Sequence, residues 1–397
     1  MPTTNPIGSA YATAESELSL GLEAVKGTAA ATPLWVPVKG PKYKPDLTMI
    51  TQDVLEGSMV ETYGFTRGLR YDSHGWDSYP YMDTFPLLLA AELGSPDTTT
   101  TASTSTTLTA PAAAGATTID TTVALTAGTY VVIGSGASIE THLVTSVVTT
   151  TATLAYPLAF NQVSGATVTG LTSHAWSVLN NGSAGNQPLS CTIVDHDGEE
   201  WRQLTGAQLD KLTIKGNATG LVDYTCSWFA NPATNPSAPS PSFSSAKPAP
   251  GWSLQASIGG SAIQYIEDWE VDLGRGVKPI PALTGTEEYF MYFAGPITAT
   301  GKITVVEQSG APELTKYLNG SVEAIDLTVF DVVSGYALNL HGSTAYFTTG
   351  ELVRSKEWVE ATLDFTLVGN STDATAGGVS PIQATVANGT TAAYVGT

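Results

Sequence analysis

The stretch WVEATLDFTLV, from Trp358 to Val368, alternates without a break. Val359, Ala361, Leu363, Phe365 and Leu367 fall on one side, and Glu360, Thr362, Asp364 and Thr366 fall on the other. Successive side chains of a strand point to opposite faces, so this period predicts a strand in a sheet with one dry and one wet side. IEDWEVD, from Ile266 to Asp272, has the same period: Glu267, Trp269 and Val271 share one face, and Asp268, Glu270 and Asp272 share the other. Three carboxylates in a row repel one another, which leaves two readings open, a solvated edge or an acidic channel lining.

Working outward, the whole chain has the composition of strands and turns. It has 397 residues, enough for two or three domains, and Thr, Ala, Gly, Ser and Val dominate while Lys is scarce. Only 13% of residues are charged, yet acids outnumber bases 36 to 16 and the net charge is −20. Such a surface argues against ordinary nucleic-acid binding, where basic residues neutralise phosphates, and suits a wall that DNA passes without sticking. The two cysteines, Cys191 and Cys226, imply no disulfide framework and are expected to be buried free thiols. Met1 to Ala10 lacks the basic start and apolar run of a secretory signal, and no stretch reaches the roughly 18 consecutive apolar residues of a membrane span.

Charge and proline divide the chain. No Lys or Arg occurs between Tyr71 and Trp201, and a Thr/Ser run, Thr98–Thr107, reads as a linker into short alternating runs. Residues 97–171 are therefore expected to form a small inserted β domain that projects outward. NPATNPSAPSPSFSSAKPAP (231–250) carries six prolines and reads as a linker or extended strap. What remains is a first domain in two parts, 1–96 and 172–230, and a second domain, 251–397. In the first, a strand (Val60–Tyr71) leads to a helix, Asp83–Leu93, then to strands Gln208–Lys215 and Gly220–Phe229. In the second, Tyr289–Phe293 and Gly301–Val306 lead to a helix, Ala311–Leu318, then to Ser321–Val332, Tyr336–Leu340 and Trp358–Val368. The repeated order predicts an internal duplication of architecture.

SELSLGLEAVKGTAAATPLWVPVKG (Ser16–Gly40) resembles the start of tail tube proteins of long-tailed, non-contractile bacteriophages. There a Gly-x-Glu element precedes a Gly-Thr turn and a Pro-x-x-x-Pro segment, here Gly21, Glu23, Gly27, Thr28, Pro33 and Pro37. FPLLLAAELG (Phe85–Gly94) is similar to the family's single helix, and GVSPIQATVAN (Gly378–Asn388) to its closing strand. The resemblance implies an all-β fold: tandem tube-type β-sandwich or barrel domains, each with one short helix, plus the inserted all-β domain. It implies a structural, non-enzymatic virion protein, made in the host cytoplasm, whose partner is itself. Rings would stack into a tube with a negative bore through which DNA passes without specific binding. Two tube domains per chain favour a trimeric, pseudo-sixfold ring, with a hexamer as the alternative. A tape measure protein and a tail terminator are the further partners the family implies. Long arms would reach the neighbouring ring: Met1–Leu18, and Leu34–Val60 with Trp35, Pro37, Pro41, Tyr43 and Pro45, whose prolines are expected to prevent regular sheet. The candidate bore-facing acids are Asp268, Glu270 and Asp272.

No catalytic, cofactor or metal site is expected. No Gly-x-Ser-x-Gly elbow or His-Glu-x-x-His occurs among residues that include five histidines. DHDGEEW (Asp195–Trp201) places Asp195, Asp197 and Glu199 loosely like a calcium loop, but without the closing Glu it reads as an acidic hairpin turn. LGRG (Leu273–Gly276) has no following helix to cradle a phosphate. The tryptophans read as core or subunit-contact anchors. Alternative functions are another virion assembly protein (a tail terminator or capsid decoration), a secreted glycan-binding β module, and the tube of a contractile machine.

Overall fold

A computed structural model describes residues 13–31, 33–54, 59–180, 187–308, 313–354, 356–375 and 377–394. Within them the chain is all-β, with two short α-helices, Pro86–Leu93 (α1) and Glu313–Leu318 (α2). Ala311 and Pro312, expected in the second helix, and residues 1–12 of the expected N-terminal arm lie outside the described residues.

Eight strands build the main sheet: β1 (Lys39–Gln52), β2 (Gly64–Ser78), β3 (Trp201–Asn217), β4 (Asp223–Ala230), β5 (Ile266–Gly274), β6 (Thr298–Val306), β7 (Ala337–Val353) and β8 (Glu360–Leu367). Their spatial order is β1-β2-β4-β3-β5-β6-β8-β7, antiparallel throughout. The alternation that opened the sequence reading is visible in β8, where Ala361, Leu363, Phe365 and Leu367 are buried. In β5, Trp269 and Val271 are buried likewise. The dry face packs into one large core that also takes in α1, and each fully buried Leu or Phe contributes about 1.5–3 kcal/mol there. Pro86 opens α1, where its missing N–H costs nothing, and Gly94 closes it at a φ of 81°.

Two long strands tie this sheet to the layer behind it by the same device. The first part of β3 pairs with Cys191–His196, which in turn pairs with Glu17–Leu22; from Gln208 on, across an irregularity between Leu209 and Lys211, β3 pairs with β4, and from Lys211 also with β5. β7 repeats the pattern: Ala337–His341 pairs with Gln383–Asn388 and with Val322–Phe330, and past an irregularity near Thr348 the strand pairs with β8 alone. Each of these strands has 17 residues. A bulge bends a strand and lets it serve two sheets.

The segment rich in threonine has its own small core, built on Leu108, Ile119, Val131, Val144, Leu154 and Val168. It is not free of the body. Tyr130, Val132, Ile139 and Leu171 pack on Phe330, Ala337 and Ala387, and Thr141 Oγ1 donates to the Gly335 carbonyl at 2.6 Å. One strand, Thr167–Trp176, pairs with Tyr130–Ile133 at its start and with Gln383–Asn388 at its end, so it runs from one core into the other. Residues 231–250 form no long strand and are tacked across the surface by bridges such as Gln203–Thr234 and Trp35–Phe243.

The expectation that Pro41 and Pro45 prevent regular sheet is corrected. Both lie in β1, a 14-residue strand paired with β2. β1 is an edge strand with a partner on one side only, and Pro41 sits in a register shift between Lys39 and Lys42. An edge strand tolerates proline, because a missing N–H on its open side or at a register shift costs no ladder bond. Three lysines and two prolines along one edge also discourage uncontrolled strand pairing.

Candidate functional site

The Gly-x-Glu element is the anchor of the first half. Glu23 is buried, and its carboxylate accepts bonds from the Gly27 N–H at 2.7 Å, Ser190 Oγ at 2.6 Å, Thr192 Oγ1 at 2.9 Å and the Gly206 N–H at 2.8 Å. Gly27 has a φ of 78°, which favours glycine, and a Cβ on Gly21 would stand 2.7 Å from that of Ala30. The same carboxylate therefore fixes the turn and joins it to the strand Cys191–His196 and to β3. At the other end of the chain, Asn388 Nδ2 donates to the Met82 carbonyl at 2.7 Å, tying the last strand to the approach to α1.

These anchors hold the main sheet so that one face stays polar. Asp268, Glu270 and Asp272 all project from β5 onto that face, each half-buried. Asp268 lies opposite Asn217 and Thr304, Glu270 opposite Lys215 and Lys302, and Asp272 opposite Thr213 and Thr300. Asp272 also accepts a bond from Thr213 Oγ1 and an ion pair from Lys211 at 3.1 Å. Around them the face is largely hydroxyl: Thr213, Thr225, Thr300, Thr304, Thr362 and Thr366. The lysines and threonines are the part that single-strand periodicity missed, because only the register between distant strands brings them beside the acids.

The expected arm residues divide into two groups. Trp35 is buried and meets the Trp201 ring edge-on at 6.0 Å, the Pro37 carbonyl accepts the Ser78 hydroxyl, and Tyr43 donates to Asp72 at 2.5 Å. Burial and that carboxylate push the Tyr43 hydroxyl up to about 12. Trp35, Pro37 and Tyr43 thus bind to their own body, with Pro41 and Pro45 on either side of Tyr43 in the edge strand β1. Farther along the β1–β2 hairpin, Leu47, Met49, Ile50 and Phe65 are exposed. Exposed apolar side chains gathered along a hairpin have the character of a contact surface. Beside it, Arg67 pairs with Glu287 at 2.8 Å and the Arg70 N–H donates to the Glu287 carbonyl at 2.7 Å, which lays the loop after Ile280 against β2.

The remaining candidates have structural roles. Asp195 is buried, 3.3 Å from His74 Nε2. Asp197 accepts the Glu199 and Glu200 N–H groups at 3.1 and 3.0 Å and Arg202 at 2.7 Å. Partial burial opposes its charge, but these donors hold its carboxyl down to about 2. The segment is thus a hairpin turn whose carboxylates face different partners. Among the described residues, no three His, Cys, Asp or Glu side chains gather as a metal site. Arg275 of LGRG donates from Nε to the Glu92 carbonyl at 2.8 Å and from Nη2 to that of Leu93 at 2.9 Å. It caps the carbonyl end of α1, where a cation is favoured, while burial pushes the Glu92 carboxyl up to about 8. Cys191 and Cys226 are buried and unbonded to each other. No described helix is long and apolar enough to cross a membrane.

A family model described as phage tail tube protein matches residues 13–367. The comparison with curated proteins gave no match.

Proposed function

The chain belongs to the phage tail tube protein family, and from that premise we propose that its main sheet is the wall of a tail tube bore. The protein is a structural component of the virion tail. The observation that carries the finer reading is the uninterrupted eight-strand sheet, dry on one face and hydroxyl-rich and acidic on the other, assembled from both halves of the chain. Turned inward, the polar face would give DNA a path with an excess of carboxylates and no basic patch to retain phosphates.

A bent 17-residue strand in each half supports tandem tube-type domains, and hence a ring of three chains with pseudo-sixfold symmetry; a hexamer is the alternative in which one half decorates the outside. In this reading residues 1–96 and 172–230 form one tube domain, 251–397 the other, and 97–171 an outward module packed on the body. Head-to-tail stacking of rings gives an open-ended tube, ended by a terminator and measured by a tape measure protein. The exposed end of the β1–β2 hairpin, beyond Trp35, Pro37, Pro41, Tyr43 and Pro45, is the inter-ring arm. Rings of a non-contractile tail built this way turn over no substrate. Electron microscopy of the concentrated protein tests the proposal: hollow tubes of tail width support it, and a persistent monomer with no tube under any salt or concentration refutes it.

A further inference from the structure

The polar face is not uniformly acidic. One residue from each of five adjacent strands stands in register across it: Asp223 on β4 opposite Lys215 on β3, Lys215 opposite Glu270 on β5, Glu270 opposite Lys302 on β6, and Lys302 opposite Asp364 on β8. The sign of charge changes at every step. Directly opposed side chains on antiparallel strands have Cβ atoms about 4.5–5.5 Å apart, so each lysine stands between two carboxylates. Lys215 Nζ lies 3.9 Å from Asp223, and Lys211, farther along β3, is paired with Asp272 at 3.1 Å. Asp364 accepts a further bond from Thr349 Oγ1 at 2.5 Å. The row crosses the seam where β3 of the first half meets β5 of the second.

Stability gains only modestly from this arrangement, about 0.2–1 kcal/mol for each cross-strand pair. Half-exposed ion pairs add little to folding, and threonine would fill the lysine positions as it fills the neighbouring ones. The chain has only 16 basic residues, and three of them are spent here beside acids. An unbroken acidic row would set like charges opposite one another across every strand pair, while a lysine without flanking acids would hold a phosphate by releasing its counterions.

We propose that the row Asp223–Lys215–Glu270–Lys302–Asp364 is a charge-compensated track that keeps DNA from being retained on this face. The inference rests on the reading of this face as the bore. Its substrate is the duplex phosphate backbone, and its working principle is that Lys215 and Lys302 each stand in register between two carboxylates.

The test uses the full-length chain, dispersed and checked by light scattering, with a fluorescent duplex of about 30 base pairs as probe, titrated from about 25 to about 200 mM NaCl. The wild-type chain is expected to show no retention. The variant Asp223→Asn/Glu270→Gln/Asp364→Asn uncovers Lys215 and Lys302. It should bind with a log–log salt slope of about −2, weakening about 40-fold across that range. Adding Lys215→Met and Lys302→Met to it should abolish the binding. A control with the same total charge change at exposed acids, Glu15→Gln/Glu199→Gln/Glu357→Gln, should stay inert. The proposal is overturned if the folded triple variant is as inert as wild type, or if the control binds equally well. Should the triple variant fail to fold, Glu270→Gln alone decides between the same outcomes with a slope of about −1 to −2. Tube formation by the wild-type chain is read separately by microscopy, so a failure of the bore reading and a failure of charge compensation are distinguishable.

Discussion

Replacing Glu23 by alanine removes the acceptor that four donors share: the Gly27 and Gly206 N–H groups and the Ser190 and Thr192 hydroxyls. The hydroxyls can rotate toward other acceptors, but the two backbone N–H groups are fixed by the turn and by β3. A buried donor left without a partner costs about 1–3 kcal/mol, so the two amides with partial hydroxyl recovery give a loss of about 3–5 kcal/mol. Glu23→Gln keeps one acceptor oxygen but turns a donor toward donors, and should cost about 2–3 kcal/mol. Urea unfolding followed by tryptophan fluorescence reads the change, helped by Trp35 and Trp201, which stack edge-on near this anchor. Hydrogen exchange adds the local readout, since the Gly27 amide should lose its protection in the alanine variant before the main sheet does. A loss below about 1 kcal/mol with the Gly27 and Gly206 amides still protected would show that the carboxylate is not what holds the turn.

Gly301 lies under the Phe365 ring, where an added Cβ would stand 2.3 Å from Cζ; Gly301→Ala should therefore destabilise the sheet by about 1–3 kcal/mol by overpacking, measured by thermal unfolding. Docking of the inserted module on the body should depend on pH through Asp326, which accepts Tyr156 at 2.5 Å and His341 at 2.9 Å. The bond to Asp326 raises the His341 pKa above 6.5, so its contribution is full below 6.5 and fades as pH rises through the raised value. Burial opposes the Asp326 charge, but His341 and Tyr156 hold its pKa below 3.8, so its contribution is full above 3.8 and fades as pH falls through the lowered value. Exchange protection at Tyr130–Ile133 should thus be greatest between those limits, and His341→Gln should remove the alkaline decline. Charging the hairpin end, Ile50→Asp with Phe65→Asp, should leave the circular dichroism unchanged and abolish stacking in sedimentation assays; tubes of normal length from that variant would assign the inter-ring contact elsewhere.

Much of this was legible in the sequence where one strand keeps its period. Ala361–Leu367 and Ile266–Asp272 have the faces that their alternation gives, whereas at the start of the first run Val359 is exposed and Glu360 buried, and the apolar run before Gly94 is the helix α1. The helix starts at Pro86 rather than Asp83 because proline suits the first turn and the residues before it do not continue the ladder. The bent strands were harder to read. Between Leu209 and Lys211, and again near Thr348, an irregular residue shifts the alternation, so one strand of 17 residues looks like two short ones or none. Pro41 and Pro45 were misread because proline excludes a central strand but not an edge, and nothing local tells the two apart. The charged row was hidden for a different reason. Lys215, Glu270, Lys302 and Asp364 are far apart in the chain, and only the pairing of β3 with β5, β5 with β6 and β6 with β8 sets them side by side.

A reconstruction of assembled tubes by electron cryomicroscopy tests the central claim most directly, because it shows which face of the main sheet borders the bore. The account predicts a hollow tube whose inner wall carries Asp268, Glu270 and Asp272, with Lys215 and Lys302 beside them and α1 buried behind. A tube wall with this face turned to the outside, or an assembly in which β3 and β5 do not border the channel, would contradict it.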